Sequence, residues 1–286
     1  LRESTIFARK LTKSNGLIFY DTNELNFDFM KNIDNTPLIL VTNDDGYSAK
    51  GIATLIESLQ GLGQIVVMAP DSARSGQSGA ITSHTPLRFS KVSEVNDLII
   101  YKCNGTPVDC VKLSFNQLLN KKPDLVVSGI NHGSNSAVNI HYSGTMGAVI
   151  EGCIAGIPSI GFSFCNYHPE ADFGITKKYV RQITEDVLEN GIPRGICLNV
   201  NIPDTETIQG IRISRQTDSL WQEEYEKRTD PFGRDYYWLG GAMHNREPEA
   251  EDTCEWALSN NYVSVVPCQI DLTAHHYIDK LKTRLK

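Results

Sequence analysis

A short apolar run, Leu38-Ile39-Leu40-Val41-Thr42, constrains this chain more than any other stretch. It is bounded by Pro37 and Gly46 and reads as a buried strand of a parallel sheet. A polar loop follows over residues 43–50. Ile52, Leu55, Ile56, Leu59 and Leu62 then fall at helical spacing and form one apolar stripe. Gly63 suits the end of that helix. Ile65-Val66-Val67-Met68 is a second buried strand, ended by Ala69-Pro70. Together these make a βαβ unit, whose crossover is right-handed in nearly all sheets.

The alternation continues down the chain. Residues 87–92 and 98–103 read as a pair of strands. Thr106-Pro107-Val108-Asp109 has the chemistry of a helix start: a hydroxyl cap, a proline in the first turn and an acid at the third position. Strands are predicted at 125–127, 160–162 and 198–200, and helices at 143–154 and 179–188. This predicts an α/β fold, a Rossmann-like open and mostly parallel sheet with helices on both faces. Its core is expected over about 37–214. After Arg215 the character changes. Trp221, Tyr225, Tyr236, Tyr237 and Trp238 are interleaved with charges, and Gly240-Gly241 follows. Residues 215–274 therefore read as a hairpin-bearing arm, with a last apolar strand at 262–266. Ile278, Leu281 and Leu285 predict a terminal helix over 275–286. Residues 1–36 read as an N-terminal extension outside the fold. Their longest apolar run, 17–20, is shorter than the ~7–15 residues of a signal-peptide core.

Bulk properties narrow the function. A chain of 286 residues with 40% hydrophobic residues can bury a large core. The formal charge of −7 argues against gripping a nucleic-acid backbone or an anionic membrane. No apolar stretch approaches the ~18–20 residues of a membrane span. The seven cysteines form no C-x-x-C and lie mostly in apolar surroundings, as buried thiols of a cytoplasmic protein do.

Three polar clusters stand at the C-terminal ends of predicted parallel strands, the edge where ligands of open α/β sheets bind. Asn43-Asp44-Asp45-Gly46 places two adjacent carboxylates directly after a buried strand, a costly arrangement unless a cation compensates. The same four residues also make a good ordinary turn. Residues 71–79 are small and polar, either a plain connector or a loop that delivers the Ser75 hydroxyl. Residues 128–135 supply amides and glycines, and Tyr142-Ser143-Gly144-Thr145 then opens a helix. Helix-start N–H groups with two hydroxyls form a phosphate cradle, or simply a capped helix.

Competing motifs are missing from the sequence. No G-x-G-x-x-G follows the first strand. Gly46 to Gly51 has P-loop spacing, but Ile52 stands where lysine is required. Gly161-Phe162-Ser163-Phe164-Cys165 lacks the last glycine of a nucleophile elbow. Asn43 stands where a haloacid-dehalogenase phosphatase needs its aspartate nucleophile. Aspartate, serine and asparagine are hard oxygen donors that suit Mg²⁺ or Mn²⁺ rather than zinc. These residues point to metal-assisted hydrolysis of a phosphate monoester. Water is the favoured attacker over a carboxylate such as Asp44, because no dedicated leaving-group acid is evident.

Six strings, in order, resemble the SurE (survival protein E) nucleotidase family. They are Thr42-Asn43-Asp44-Asp45-Gly46; Ala69-Pro70-Asp71 with Arg74-Ser75-Gly76; Gly105-Thr106-Pro107 with Asp109-Cys110; Ser128-Gly129-Ile130-Asn131; Tyr142-Ser143-Gly144-Thr145; and Asp271-Leu272-Thr273-Ala274-His275. The resemblance covers residues 37–286. It implies a 5′/3′-nucleotidase acting on nucleoside monophosphates, with one Mn²⁺ or Mg²⁺ per subunit held by Asp44, Asp45, Ser75 and Asn131. Asp44 and Asp45 are the implied catalytic pair. Asn43, Asn135, Ser143, Gly144 and Thr145 match phosphate-holding positions. It also implies a homodimer or tetramer with exchanged C-terminal segments, and a small-molecule nucleotide rather than a nucleic-acid polymer as substrate. Broader phosphatase or exopolyphosphatase activity at the same site, or nucleotide binding without turnover, are the alternatives.

Overall fold

The computed structural model describes residues 36–285, together with the backbone of two short paired strands, Lys13–Ser14 and Leu17–Ile18. The remainder of the expected N-terminal extension lies outside the described residues. Pro37–Lys286 form one compact unit.

The first βαβ unit forms as the sequence predicts. β1 (Leu38–Thr42), α1 (Lys50–Leu59) and β2 (Gln64–Pro70) follow one another, and β1 and β2 pair in parallel. A hairpin, β3 (Phe89–Val95) and β4 (Leu98–Cys103), comes next; its turn contains Asn96 at φ +53°. α2 (Pro107–Leu113) starts with a complete capping box, in which Thr106 and Asp109 each bond the other's backbone N–H. β5 (Leu125–His132), α3 (Gly144–Ile154), β6 (Ser159–Phe164), α4 (Thr176–Asn190) and β7 (Ile196–Ile202) complete the alternation.

β8 (Gly210–Ile213) had no clear signal in the sequence. Two small antiparallel pairs follow: β9 (Ser219–Gln222) with β12 (Ala242–Asn245), and β10 (Tyr225–Thr229) with β11 (Asp235–Leu239). The chain then forms α5 (Cys254–Ser259), β13 (Tyr262–Gln269) and α6 (His275–Arg284).

The nine-stranded sheet has the order β8-β13-β7-β6-β5-β1-β2-β4-β3. All neighbours are parallel except the β3–β4 hairpin and β13 against β7. The core therefore does not end near residue 214. β13 inserts between β7 and β8, and Val263 and Val265 bury in the main core. The ladder from Ser264 to Gln269 pairs the backbone N–H and C=O groups that the edge of β7 would otherwise leave open.

Alternate residues of β1 serve opposite layers, as strand geometry requires. Ile39 and Val41 pack with Ile52, Leu55 and Leu59 of α1 and with Val180, Ile183 and Val187 of α4. Leu38 and Leu40 pack with Val111 of α2 and Ala148 of α3. Each fully buried aliphatic side chain contributes roughly 1.5–3 kcal/mol. The two-sided burial fixes the register of β1 and with it the position of the loop that leaves its C-terminal end.

Candidate active site

The loop after β1 is closed by its own first and last residues. Gly46 adopts φ +100°, a conformation that a side chain rarely tolerates. This turns its backbone onto the Asn43 carboxamide: Nδ2 donates to the Gly46 carbonyl at 2.9 Å, and the Gly46 N–H donates to Oδ1 at 3.2 Å. Asn43 is fully buried, with both ends of its amide engaged. These bonds make it a brace for the loop that carries Asp44 and Asp45, and they use one of its two Nδ2 hydrogens. Neighbouring segments brace the same turn. Tyr47 N–H donates to the Pro70 carbonyl at 2.9 Å, and Arg74 N–H to the Asp44 carbonyl at 2.7 Å.

Asp44 is 3% exposed. Its Oδ1 accepts the Thr145 hydroxyl at 2.5 Å. Burial, then the neighbouring Asp45 charge, push its carboxyl up to about 6. Asp45 is half-buried, and its Oδ2 accepts the His132 N–H at 3.2 Å. Burial raises its pKa as well, against the lowering effect of that N–H. Neither carboxylate forms an ion pair with a lysine or arginine among the described residues; the nearby Arg74 guanidinium turns to Asp71 and the Asn104 carbonyl.

The third wall comes from the end of β5 and the start of α3. Asn131 donates from Nδ2 to the Gly133 carbonyl at 2.8 Å, and among the described residues its Oδ1 has no hydrogen-bond partner. Asn135 is held by a polar network that the sequence did not announce. Its N–H donates to Asn201 Oδ1 at 2.8 Å, its Nδ2 to Ser163 Oγ at 2.9 Å, and its carbonyl accepts from Asn199 at 2.9 Å. Ser143 caps α3, its Oγ accepting the Met146 N–H at 3.0 Å. Gly144 lies against the carboxylate: a Cβ there would sit 2.8 Å from Asp44 Cβ and 3.0 Å from Oδ2. Thr145 is fully buried, with its hydroxyl committed to Asp44. It therefore positions the carboxylate rather than lending that hydroxyl to phosphate.

Asp44, Asn131, Asn135 and Ser143 meet at a cavity of about 500 Å³ that Trp221, Tyr225 and Leu239 also line. Gly76 also lines it, while the adjacent Ser75 is exposed and makes no hydrogen bond among the described residues. Asp45 lines a separate hollow with His132 and Gly51. Sequence reasoning missed the Thr145 and His132 contacts, the Asn199 and Asn201 supports and the aromatic wall. The Trp/Tyr pattern after Arg215 was the only trace of that wall in the sequence.

The donor set fits a hard divalent cation. A buried and a half-buried carboxylate with no basic partner among the described residues, beside a spare amide oxygen, lack positive charge, and every donor is oxygen. Among the described residues no group of three or more His, Cys, Asp and Glu is arranged around a metal site. A cation here thus draws on amide or hydroxyl oxygens besides the two carboxylates.

The model of the family described as survival protein SurE matches residues 39–223. The protein named 5′-nucleotidase SurE from Phocaeicola vulgatus is 56% identical over 246 residues, 86% of this chain and 96% of that protein. The namesake from Chlorobaculum tepidum is 42% identical, covering 86% of this chain and 94% of that protein. The crystal structure of SurE from Aquifex aeolicus superposes with a TM-score of 0.76 at 40% identity, over 87% of this chain and all of that one. With the six motif strings in order on a doubly wound sheet, this extent of similarity means that the chain belongs to the SurE family.

Proposed function

We propose that the chain is a divalent-cation-dependent nucleotidase that hydrolyses nucleoside 5′- and 3′-monophosphates to nucleoside and inorganic phosphate. Relatives named 5′-nucleotidase SurE, at 50–56% identity over most of the chain, support the reaction class. The observation that carries the reading is the buried, unneutralised Asp44 packed directly against the start of α3. Anion-binding amides and cation-binding carboxylates share one small site, which is what a phosphate ester with its counterion requires.

In this reading Asp44, Asp45, Ser75 and Asn131 hold one Mn²⁺ or Mg²⁺ per subunit. The bound cation supplies charge neutralisation to the phosphoryl oxygens. Thr145 and the His132 N–H orient the two carboxylates. The remaining Asn135 amide hydrogen and the helix-start N–H of Gly144 donate to the phosphoryl group, and Ser143 keeps that helix start in place. Asn43 keeps the carboxylate loop closed. Pre-set donors of this kind need no reorganisation as charge develops.

The assembly belongs to the same proposal: a homodimer or tetramer that exchanges C-terminal segments. α6 buries no residue, and Leu272, which precedes it, is 90% exposed. Seven free cysteines support a cytoplasmic setting. No helix among the described residues is long and apolar enough to cross a membrane.

Phosphate release from AMP should stop in a chelator and return with Mn²⁺. Asp45→Ala should lose on the order of 10³-fold in kcat/KM. Full activity of that variant at saturating Mn²⁺ would overturn the proposal.

A further inference from the structure

The cavity beside Asp44 is larger and more apolar than a phosphate group and cation need. Besides Asp44 and the asparagine-loop residues, Tyr167, Trp221, Tyr225 and Leu239 line it. Two of these rings are fixed by the catalytic loops themselves. The Trp221 indole N–H donates to Asn139 Oδ1 at 2.9 Å, and Asn139 lies in the turn between the asparagine loop and α3. The Tyr167 hydroxyl accepts the Ser134 N–H at 3.1 Å, and its ring lies over Gly133, where a Cβ would be 2.3 Å from Cε1. Each ring has its polar tip engaged, so what it offers the cavity is a flat apolar surface. A phosphoryl group gains nothing from such a surface. A planar heteroaromatic ring gains affinity from it, on the order of tenfold or more per stacking contact.

We propose that Trp221, with Tyr167 beside it, forms a nucleoside subsite: the base stacks on the indole, and the Trp221–Asn139 bond sets its distance from the phosphate end. This rests on the nucleotidase reading above and adds to it the residue that separates a nucleotide from a bare sugar phosphate. Trp221 sits on β9, whose cross-strand neighbour at that position is Met243 of β12, so the ring is carried by a paired strand rather than a loose loop.

The test compares AMP with ribose 5-phosphate, which has the same ester but no base, in the Mn²⁺-loaded enzyme. Trp221→Ala should raise KM for AMP about tenfold, the lower end of that stacking gain. It should leave kcat for AMP, and both constants for ribose 5-phosphate, within about twofold. Trp221→Phe should keep most of the AMP affinity. Independently of turnover, adenosine should quench tryptophan fluorescence in the wild-type protein, and Trp221→Phe should lose that quench. An equal loss on both substrates in Trp221→Ala would make the tryptophan a structural support for Asn139 and overturn the subsite. So would an unchanged KM for AMP. A wild-type enzyme that hydrolyses ribose 5-phosphate but not AMP would instead overturn the nucleotidase reading, and the subsite with it.

Discussion

At the strand edge, Asp44 is 3% exposed, Thr145 is fully buried, and three contacts tie one loop to another: Thr145 to Asp44, the His132 N–H to Asp45 and the Arg74 N–H to the Asp44 carbonyl. In the β10–β11 hairpin every residue is exposed, with Trp238 at 60% and Leu239 at 71%. The hairpin's charges pair mainly with one another: Lys227 with Asp235, Arg228 with Glu226 and Arg234 with Asp230. Exposed pairs of this kind add little stability. The site's geometry is thus imposed by the interior of the sheet, whereas the hairpin is held by its own ladder and leaves Tyr236, Tyr237, Trp238 and Leu239 uncovered. Tyr236 and Trp238 share one face of β11 and Tyr237 and Leu239 the other, and uncovered apolar side chains on an element that the core does not need suit it to contact with a partner. In the proposed reading association falls mainly to the hairpin and chemistry to the strand edge, and the two meet at Tyr225 and Leu239, which also line the cavity.

The largest effect that would test this contrast comes from Asp44. Its folded pKa, about 6, lies above the ordinary value of 3.8. As pH rises from 4 to 6 the unfolded chain ionises first, so the folded state loses stability through that window and holds the deficit above it. The shift corresponds to roughly 3 kcal/mol. Asp44→Asn should therefore stabilise the cation-free protein by up to about this amount at pH 7.5 and by almost nothing at pH 3.5, while abolishing phosphate release. Denaturant titrations at the two pH values measure it. Mn²⁺ should raise the Tm of the wild-type protein and not that of the variant. A variant less stable than wild type at pH 7.5 would mean that the carboxylate is structurally satisfied without a cation, and the strand edge would then be no more functional than the hairpin.

A smaller effect is expected at Gly144. A methyl group there would meet Asp44 Cβ at 2.8 Å, and neither partner is the far end of a flexible chain. Gly144→Ala should cost about 1–3 kcal/mol, as overpacking does. It should also lower kcat/KM on AMP about 100-fold, because displacing the carboxylate misplaces the reacting groups. Wild-type rates in this variant would show that the close packing of α3 on Asp44 has no part in catalysis.

The fold was legible because its signals are local. Buried strands show as unbroken apolar runs, α1 as one stripe, and α2 through Thr106-Pro107-Val108-Asp109. The three polar clusters were legible for the same reason, since each directly follows or caps a recognisable element. What could not be read depends on contacts between distant segments. Thr145 reaches Asp44 across 101 positions, and Trp221 reaches Asn139 across 82. No local period records that a threonine hydroxyl turns toward a carboxylate instead of a ligand. The antiparallel entry of β13 between β7 and β8 was hidden likewise, because an apolar run carries no mark of which edge it will join.

The smallest expected effect lies in the hairpin, and it tests the other half of the contrast. Trp238 is opposite Glu226 on β10 and has no core neighbour to lose. Trp238→Ser should change the stability of the isolated protomer by less than about 0.5 kcal/mol, the range of ordinary surface substitutions. If the hairpin is covered by a second copy, the effect appears through concentration. The wild-type Tm should then rise on tenfold concentration, because association favours the folded state. The Trp238→Ser Tm should stay put, and sedimentation should show the smaller species. A large loss of Tm at every concentration would place the hairpin in the protomer's own stability instead. The separation of chemistry from association would then fail where its energetic signal is weakest, since a surface that costs nothing to alter in the monomer can be maintained only by what binds it.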